Sequence, residues 1–431
     1  MINYSTKLLS KKNVINLLII LIPVSFIAGN LIINLNILLL IVISYIFFKN
    51  DIFKIEMNYL DKLVVSLFLY IFFLGIFSSI YTYYFENFTK DLIVLNKTIL
   101  FLRFFLLYFV MIYLIKNNII NFKYFFIACS VCSLFVCLDL IIQFSFGKDI
   151  FGYEKIYPRH TTGPFGDEAI AGTYLQRFSL FSFFLLPFLF KNKDRKKSNF
   201  LLLAILMLTI FSLIIAGNRM PLILFIFSLF LVILFEKYLR RYFIYALILS
   251  TMSFSILYKT NSNIKVHFNV FGEKIYVIAS SVISGEIDPK NPTMVFHGHF
   301  KEFYAGYETW KQNKIFGRGL KSFKLNCPKK VENCGAHPHN YYLEIMSDLG
   351  LVGLLLFIVI FTYSIYGSIT NRHKFRDNLI YNNLITPFIL ILFIEMFPIK
   401  TSGSFFTTTN STFIFLIMAI MIGLSKKQDL N

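Results

Sequence analysis

The side chains best suited to chemistry lie in one short polar run between Cys334 and Glu344. His337, His339 and Asn340 stand there directly before a long apolar segment. Imidazole is the side chain whose ordinary pKa lies nearest to neutral, so it can accept and return a proton at physiological pH. Two imidazoles and an amide at the start of a membrane helix therefore predict proton transfer at a membrane surface.

His339 is the stronger candidate for the base. It adjoins Asn340, whose side chain can cap the following helix, and it lies closer to the positive helix end, which lowers a histidine pKa. Pro338 predicts an extended turn that keeps the rings of His337 and His339 from pointing at one ligand. The alternative is that both rings only form hydrogen bonds within the loop.

Basic side chains in other polar segments could bind an anionic group. Arg219 follows Gly217 and Asn218 in a tight turn, where its planar fork and the next helix N-terminus would suit a phosphate. Taken alone, an arginine that snorkels to the membrane interface is the simpler interpretation, but the histidine motif favours an anion site. Further on, Arg318 and Lys321 belong to a glycine-rich turn whose backbone amides could approach a ligand.

Cys327 and Cys334 lie in the same polar loop as the histidines. Their position on the outer side of the membrane and their close spacing predict a local disulfide that holds the segment before His337. A metal site that uses these thiols with His337 or His339 is the competing interpretation, but the four residues lack a standard finger spacing. No acidic metal-binding motif is evident in the sequence, so we expect no metal.

The elements that must position these residues are membrane helices. Of 431 residues, 57% are hydrophobic and only 15% are charged, whereas soluble domains carry about 25% charge. Repeated apolar runs are long enough to cross a hydrocarbon core of about 30 Å. The sequence therefore predicts an all-α polytopic membrane protein. Its spans, about twelve in number, are expected at 14–28, 31–48, 63–84, 98–115, 124–146, 174–190, 199–216, 220–236, 242–258, 343–367, 378–399 and 410–425.

Charge predicts which connections face which side. Lysines and arginines concentrate in alternate connections, which places both chain ends inside under the positive-inside rule. The chain then divides into residues 1–258, with nine spans and an outer loop at 147–173; a large, partly helical outer loop at 259–342; and three final spans in 343–431. The large loop is basic, which would suit an anionic ligand, although long loops can also translocate regardless of charge.

Three ionisable residues, Arg103, Asp139 and Glu395, fall inside predicted spans, where charge is expensive and is usually paired or functional. Their partners cannot be assigned from sequence. In the outer loop at 147–173, Arg159 and Arg177 could pair with Glu168 instead of binding a ligand.

Together these segments resemble the O-antigen ligase and polymerase family of bacterial envelope glycosyltransferases. The match covers most of the chain after about residue 150. It consists of His339-Asn340 followed after nine residues by Gly350, with Glu344 and Gly353 in the usual places; Gly217-Asn218-Arg219; Trp310 to Phe323; Arg159 with Gly163 to Gly172; and Phe397 to Phe406. One departure is that an arginine often found in the family shortly before the Trp310 position is absent. Lys301 or Arg318 is the first choice for its replacement, and His299 is the next.

The resemblance implies glycan transfer at the periplasmic face of a bacterial inner membrane, within lipopolysaccharide biosynthesis. The donor would be a polyprenyl-diphosphate-linked oligosaccharide or polysaccharide, and the acceptor a sugar hydroxyl on lipid A–core or on another lipid-linked glycan. Neither a cofactor nor a nucleic-acid partner is implied. The catalytic residues would be His339, Asn340 and Arg219, and the substrate contacts would be Arg318, Lys321, Lys301, Arg159, His337 and Glu344. A secondary transporter or lipid flippase is the alternative, although no two-fold hydropathy repeat is evident.

Overall fold

The computed structural model describes residues 2–85, 88–156, 160–189, 195–236, 240–284, 299–328, 334–375 and 377–426. Regular structure in these ranges is helical, apart from one isolated bridge between Lys148 and Glu154. The α-helices are α1 (Ile2–Ala28), α2 (Asn30–Phe48), α3 (Tyr59–Phe85), α4 (Phe88–Lys116), α5 (Phe122–Phe146), α6 (Ala171–Phe178), α7 (Leu180–Leu189), α8 (Arg195–Ala216), α9 (Arg219–Phe235), α10 (Arg240–Thr260), α11 (Ser262–Ser284), α12 (His299–Gln312), α13 (Phe323–Asn326), α14 (Tyr341–Lys374), α15 (Leu379–Glu395) and α16 (Thr408–Ser425).

Within the described residues, nine helices are long and apolar enough to cross a membrane, which confirms an all-α polytopic membrane protein. Each predicted span falls on helical residues, but three of the predicted spans are not among these nine helices. The span at 174–190 is interrupted at Ser179, which separates α6 from α7. Helices α9 and α15 have 17 residues each, just below a full crossing. The number of spans and their orientation stay predictions.

The chain forms two compact units, each assembled from separate stretches of sequence. The first comprises Met1–Asn36, Ile119–Tyr276 and Phe375–Glu395; the second comprises Ile37–Asn118, Val277–Lys374 and Met396–Asn431. The predicted division into 1–258, 259–342 and 343–431 describes membrane topology along the chain and stays a prediction.

Helix α5 is central to the first unit, where it packs against α1, α7 and α8. Rings of Phe125, Phe126, Phe181 and Phe388 meet in edge, tilted and stacked contacts with centroids 5.0–6.3 Å apart. Such pairs add directional attraction to the packing of apolar helices. Aromatic side chains thus supply much of this core.

The first unit also holds Asp139 and Glu395, two of the three intramembrane charges that had no assigned partner. Arg177 lies 2.6 Å from Glu395, and both side chains are almost fully buried, at 3% and 0% exposed. The expectation that Arg177 could pair with Glu168 is therefore wrong, because helix packing brings a distant carboxylate to it. Asp139 accepts a hydrogen bond of 2.8 Å from the backbone N–H of Ile150.

In the second unit, α4 packs against α3 and α16, and α14 packs against α3, α12 and α16. Near the C-terminus, Lys426 lies 2.5 Å from Asp61, which also accepts a hydrogen bond from the Tyr108 hydroxyl. This buried pair ties the end of α16 to the start of α3. Arg103 packs over the ring of Phe104 and donates to the carbonyl oxygen of Leu100.

A break in α14 at Gly350 positions the segment that precedes the histidine motif. Gly350 has φ +66°, so the helical hydrogen bonds are interrupted there. The carbonyl of Lys314 instead accepts from the N–H of Leu351 at 2.9 Å. A Cβ on Gly317 would lie 2.3 Å from the carbonyl oxygen of Asp348, so this close backbone approach requires glycine.

Candidate functional site

Three imidazoles and one carboxylate from α12 and the start of α14 meet in the second unit. The ring of His339 lies 4.1 Å from the ring of His337 and 4.5 Å from the ring of His299, measured between centroids. Oε2 of Glu302 lies 3.3 Å from Nε2 of His339 and 3.0 Å from Nδ1 of His299. We call His299, Glu302, His337 and His339 the histidine cluster.

The prediction that Pro338 separates the two rings is wrong. His339 has φ +52°, a left-handed conformation that turns the chain back and brings its ring against that of His337. The carbonyl oxygen of His339 accepts a 2.9 Å hydrogen bond from the N–H of Ser402, which holds this conformation. A non-glycine residue in this region carries a conformational cost, so the surrounding contacts must maintain it.

Asn340 caps α14, as its position predicts. Its Oδ1 accepts hydrogen bonds from the N–H groups of Tyr342 at 3.0 Å and Leu343 at 3.1 Å. Its Nδ2 donates to the carbonyl oxygen of Pro398 at 2.7 Å. The buried amide therefore joins the start of α14 to the segment after α15, which fixes the neighbouring His339.

The surroundings of the cluster favour neutral imidazoles. Burial is the main cause that lowers the pKa of His337 to about 4, and positive charge on His339 and Lys321 acts in the same direction. Burial also lowers the pKa of His339, against the opposing effect of the Glu302 carboxylate. A neutral His339 retains a lone pair that can accept a proton.

Beside the cluster, Lys321 and Glu344 form a buried polar network. Glu344 is 1% exposed and accepts hydrogen bonds of 2.5 Å from the hydroxyl of Ser404 and from the N–H of Phe405. Nζ of Lys321 donates to the same Ser404 hydroxyl and lies 3.5 Å from Glu344. The N–H of Lys321 donates to Asp348 at 2.7 Å. These contacts order the loop, and substrate contacts of Lys321 and Glu344 stay predictions.

Arg318 lines a cavity of about 770 Å³. One wall is the aromatic face of α3, including Phe73, Phe77 and Tyr81, and the other is the segment from Gln312 to Asn326. The Arg318 guanidinium donates to the side-chain oxygen of Asn326 at 2.9 Å. An apolar wall that ends at a cation suits an amphiphile with an anionic headgroup.

The remaining predicted site residues lie as follows. Arg219 begins α9 in the first unit, with its guanidinium 4.8 Å from the ring centre of Phe271. Lys301 lies in the first turn of α12. Cys327 and Cys334, predicted to pair, are joined in a disulfide with Cα atoms 6.5 Å apart. Arg159 lies outside the described residues.

Sequence reasoning overlooked Glu302. Its signal was its spacing of three residues from His299, which places both side chains on the same face of a helix. The sequence could not show that this helix packs beside the histidine motif. By sequence alone, His299 ranked behind Lys301 and Arg318 as the replacement for the missing arginine. In the structure, the ring of His299 contacts the ring of His339.

Comparison with protein families gives a match between residues 202–358 and the family described as O-Antigen ligase. Comparison with curated proteins gives no match. The matched stretch contains Arg219, the whole histidine cluster and the break at Gly350. This match supports the resemblance to the O-antigen ligase and polymerase family over residues 202–358.

Proposed function

We propose that this protein transfers a glycan from a polyprenyl-diphosphate carrier to a sugar hydroxyl, at the periplasmic face of a bacterial inner membrane. The acceptor is lipid A–core or a second lipid-linked glycan. The observation that carries this proposal is His339, a partly exposed imidazole held against Glu302 directly before a membrane helix, within the stretch that matches the ligase family.

The contact between His339 and Glu302 supports a role in proton transfer. We assign Nε2–H of the neutral His339 ring to the 3.3 Å contact with Glu302, which leaves the lone pair on Nδ1. Nδ1 takes the acceptor hydroxyl proton as the hydroxyl oxygen attacks the anomeric carbon of the donor sugar. The bond from that carbon to the diphosphate oxygen breaks, and the bonding pair leaves with the diphosphate. Glu302 then stabilises the imidazolium.

The leaving diphosphate requires positive charge. Arg318 lines the aromatic cavity, so an isoprenoid chain bound along α3 would have this cation available for its phosphates. Lys321 follows three residues later and is proposed as a second cation. Fixed cations that face developing negative charge stabilise it without a metal. Arg219, which starts a helix, is proposed as a further phosphate contact because guanidinium binds two oxygens at once.

The test is a transfer assay with purified protein in nanodiscs, lipid-linked glycan and each acceptor in turn, with chelator present. Formation of a glycan–acceptor bond, detected by mass spectrometry, supports the proposal. Movement of intact lipid-linked glycan across the bilayer without bond formation would instead identify a flippase and refute it.

Variants of Arg219 test the phosphate contact separately. Arg219→Ala should reduce transfer more than Arg219→Lys, and lysine should still be impaired because a point charge cannot bind two phosphate oxygens in one plane. Arg240, which lies at the start of α10, offers a matched control as Arg240→Ala. Wild-type transfer by Arg219→Ala would remove Arg219 from the mechanism.

A further inference from the structure

The histidine cluster has a second chemical capacity, independent of proton transfer. His299, Glu302 and His339 each present one ligand atom, and these three atoms lie within 4.8 Å of one another. Two imidazole nitrogens and a carboxylate oxygen form a common protein ligand set for zinc. Each of the three side chains is partly accessible, at 54%, 26% and 28% exposed. An ion could therefore reach them.

The separations suit a tetrahedral ion. Ligands about 2.0–2.1 Å from a tetrahedral zinc ion lie about 3.3–3.4 Å from one another. The Glu302 oxygen lies 3.0 Å from His299 and 3.3 Å from His339, so two edges of the tetrahedron are already close to these lengths. The third edge joins the two ring nitrogens, which lie within 4.8 Å of each other and would move closer together on an ion. Three protein ligands leave the fourth position for water.

The scaffold holds these ligands in place. His299 and Glu302 lie three residues apart on α12, which packs against α14. The contact from Ser402 holds the turned backbone of His339. A Cβ on Gly335 would lie 3.2 Å from the other oxygen of Glu302, so the segment next to the disulfide approaches that carboxylate closely. Ligands ordered before binding reduce the entropy lost when an ion binds.

We propose that His299, Glu302 and His339 form a binding site for a divalent transition-metal ion of the zinc class, and that occupancy inhibits transfer. Metal binding itself rests only on this geometry, whereas inhibition rests also on the function proposed above. Zinc on Nε2 of His339 displaces the proton that this nitrogen shares with Glu302. In the neutral ring that proton moves to Nδ1. His339 then has no lone pair with which to accept a proton from the acceptor hydroxyl.

The ligand chemistry also predicts selectivity. Imidazole favours zinc, copper and nickel, whereas magnesium and calcium prefer oxygen ligands. Zn²⁺ should therefore bind and inhibit, and Mg²⁺ at the same concentration should do neither.

Binding is measured first, by competition between the purified full-length protein in nanodiscs and a chromogenic zinc chelator. We expect one equivalent of Zn²⁺ in the wild type. His299→Ala and Glu302→Gln should each weaken binding by more than about 100-fold, beyond the 10–100-fold typical of residues one shell away from a metal. His373→Ala, a histidine in the last turn of α14, is the matched control and should bind like the wild type. Equal binding by all four proteins, or none by the wild type, would overturn the site.

X-ray absorption gives a readout that needs no activity. The bound zinc should show nitrogen and oxygen neighbours at about 2.0–2.2 Å and no sulfur neighbour. A sulfur shell at about 2.3 Å would place the ion on cysteines and refute the proposal.

Inhibition is measured with the transfer assay. Zn²⁺ should stop wild-type transfer, chelator should restore it, and the inhibitory concentration for His299→Ala should rise by the same factor as its dissociation constant. Transfer that is unaffected by bound zinc would refute inhibition. If the wild type binds no zinc and metal-free His339→Ala loses transfer, the metal site alone is overturned. If the wild type binds zinc and metal-free His339→Ala transfers at the wild-type rate, the proposed base alone is overturned.

Discussion

Two carboxylates in this protein, Glu395 and Glu302, both contact cationic or basic side chains, yet their surroundings differ. Glu395 is fully buried in the first unit and meets the guanidinium of Arg177 through contacts of 2.6 and 3.2 Å. Glu302 lies in the second unit, is 26% exposed, and stands between two imidazoles. The first arrangement is a closed ion pair, and the second is open to solvent and to a ligand.

The difference shows how burial and the type of partner distinguish an ion pair that stabilises the fold from a carboxylate that can take part in proton transfer. A guanidinium stays protonated, so the Arg177–Glu395 pair neutralises itself and leaves no site for a proton. An imidazole loses or gains a proton near neutral pH, so the protonation of the cluster around Glu302 can change. The sequence places Glu395 inside a predicted span and Glu302 in the large outer loop, but it shows the partner of neither carboxylate. Substitutions that remove the partner of Glu395, or that remove a side chain of the histidine cluster, test this distinction.

The largest expected effect is on the open cluster. His339→Ala should reduce transfer by about 10²–10⁴-fold, because removing a general base typically costs that much in rate. The protein should still fold and insert, since the side chain of His339 is partly exposed, at 28%. The measurement is product formation per molecule of purified protein, with His373→Ala as control. A His339→Ala variant with the wild-type rate would show that the cluster is not the base, whatever the family.

The next effect concerns the closed pair. Arg177→Met leaves Glu395 buried without its partner and should lower the free energy of unfolding by about 3–5 kcal/mol. Unfolding can be followed by dye labelling of the buried thiols of Cys129, Cys132 and Cys137. The double variant Arg177→Met with Glu395→Leu should recover most of the loss, because no unpaired charge remains.

The same measurement on the open carboxylate sharpens the contrast. Glu302→Gln should change the free energy of unfolding by no more than about 1 kcal/mol, because partly exposed pairs contribute little. If Glu302→Gln lowered the free energy of unfolding as much as Arg177→Met does, Glu302 would be a stabilising residue like Glu395, and the proposed difference between the two carboxylates would be wrong.

A smaller effect is expected from the disulfide beside the cluster. Replacing Cys327 and Cys334 together by serine should lower the free energy of unfolding by about 2–3 kcal/mol, because the closed loop is short. Denaturant titration of oxidised and reduced wild type provides the matched comparison. If reduction leaves the wild-type midpoint unchanged, the disulfide contributes nothing to stability.

The smallest effect is a pH shift. Because burial lowers the pKa of His339, the neutral base should persist below its ordinary value of about 6.5 and be lost as the pH falls through the lowered pKa. Burial is the main cause that lowers the pKa of His337 to about 4 in the folded protein. Below pH 6.5 the unfolded chain binds this proton more readily than the folded protein does. The free energy of unfolding should therefore decrease as the pH falls from 6.5 to about 4. Glu302 raises the pKa of His339, so Glu302→Gln should move the acid limb of the rate profile to lower pH.

The rate profile is measured with chelator present so that only protons compete for the imidazoles. His373→Ala again serves as the control. An acid limb in Glu302→Gln that moves to higher pH would contradict the assigned contact between Glu302 and His339.

Some of the site could be read directly from local sequence. The cap of α14 by Asn340 follows from residue type and position alone. This feature depends on backbone geometry within a few residues. The placement of the rings of His337 and His339 could not be predicted, because it depends on a left-handed backbone held by Ser402, about sixty residues away.

Sequence by itself determined the apolar helices, their approximate limits and the family resemblance, and it singled out His339 as the candidate base. It could do so because hydrophobic length, capping chemistry and residue spacing are local properties. Only the tertiary structure decided that Glu302 and His299 belong with His339, and that Arg177 and Glu395 form a closed pair. The physical reason is that both groupings join residues far apart in the chain, and helix packing alone brings their charges within a few ångströms.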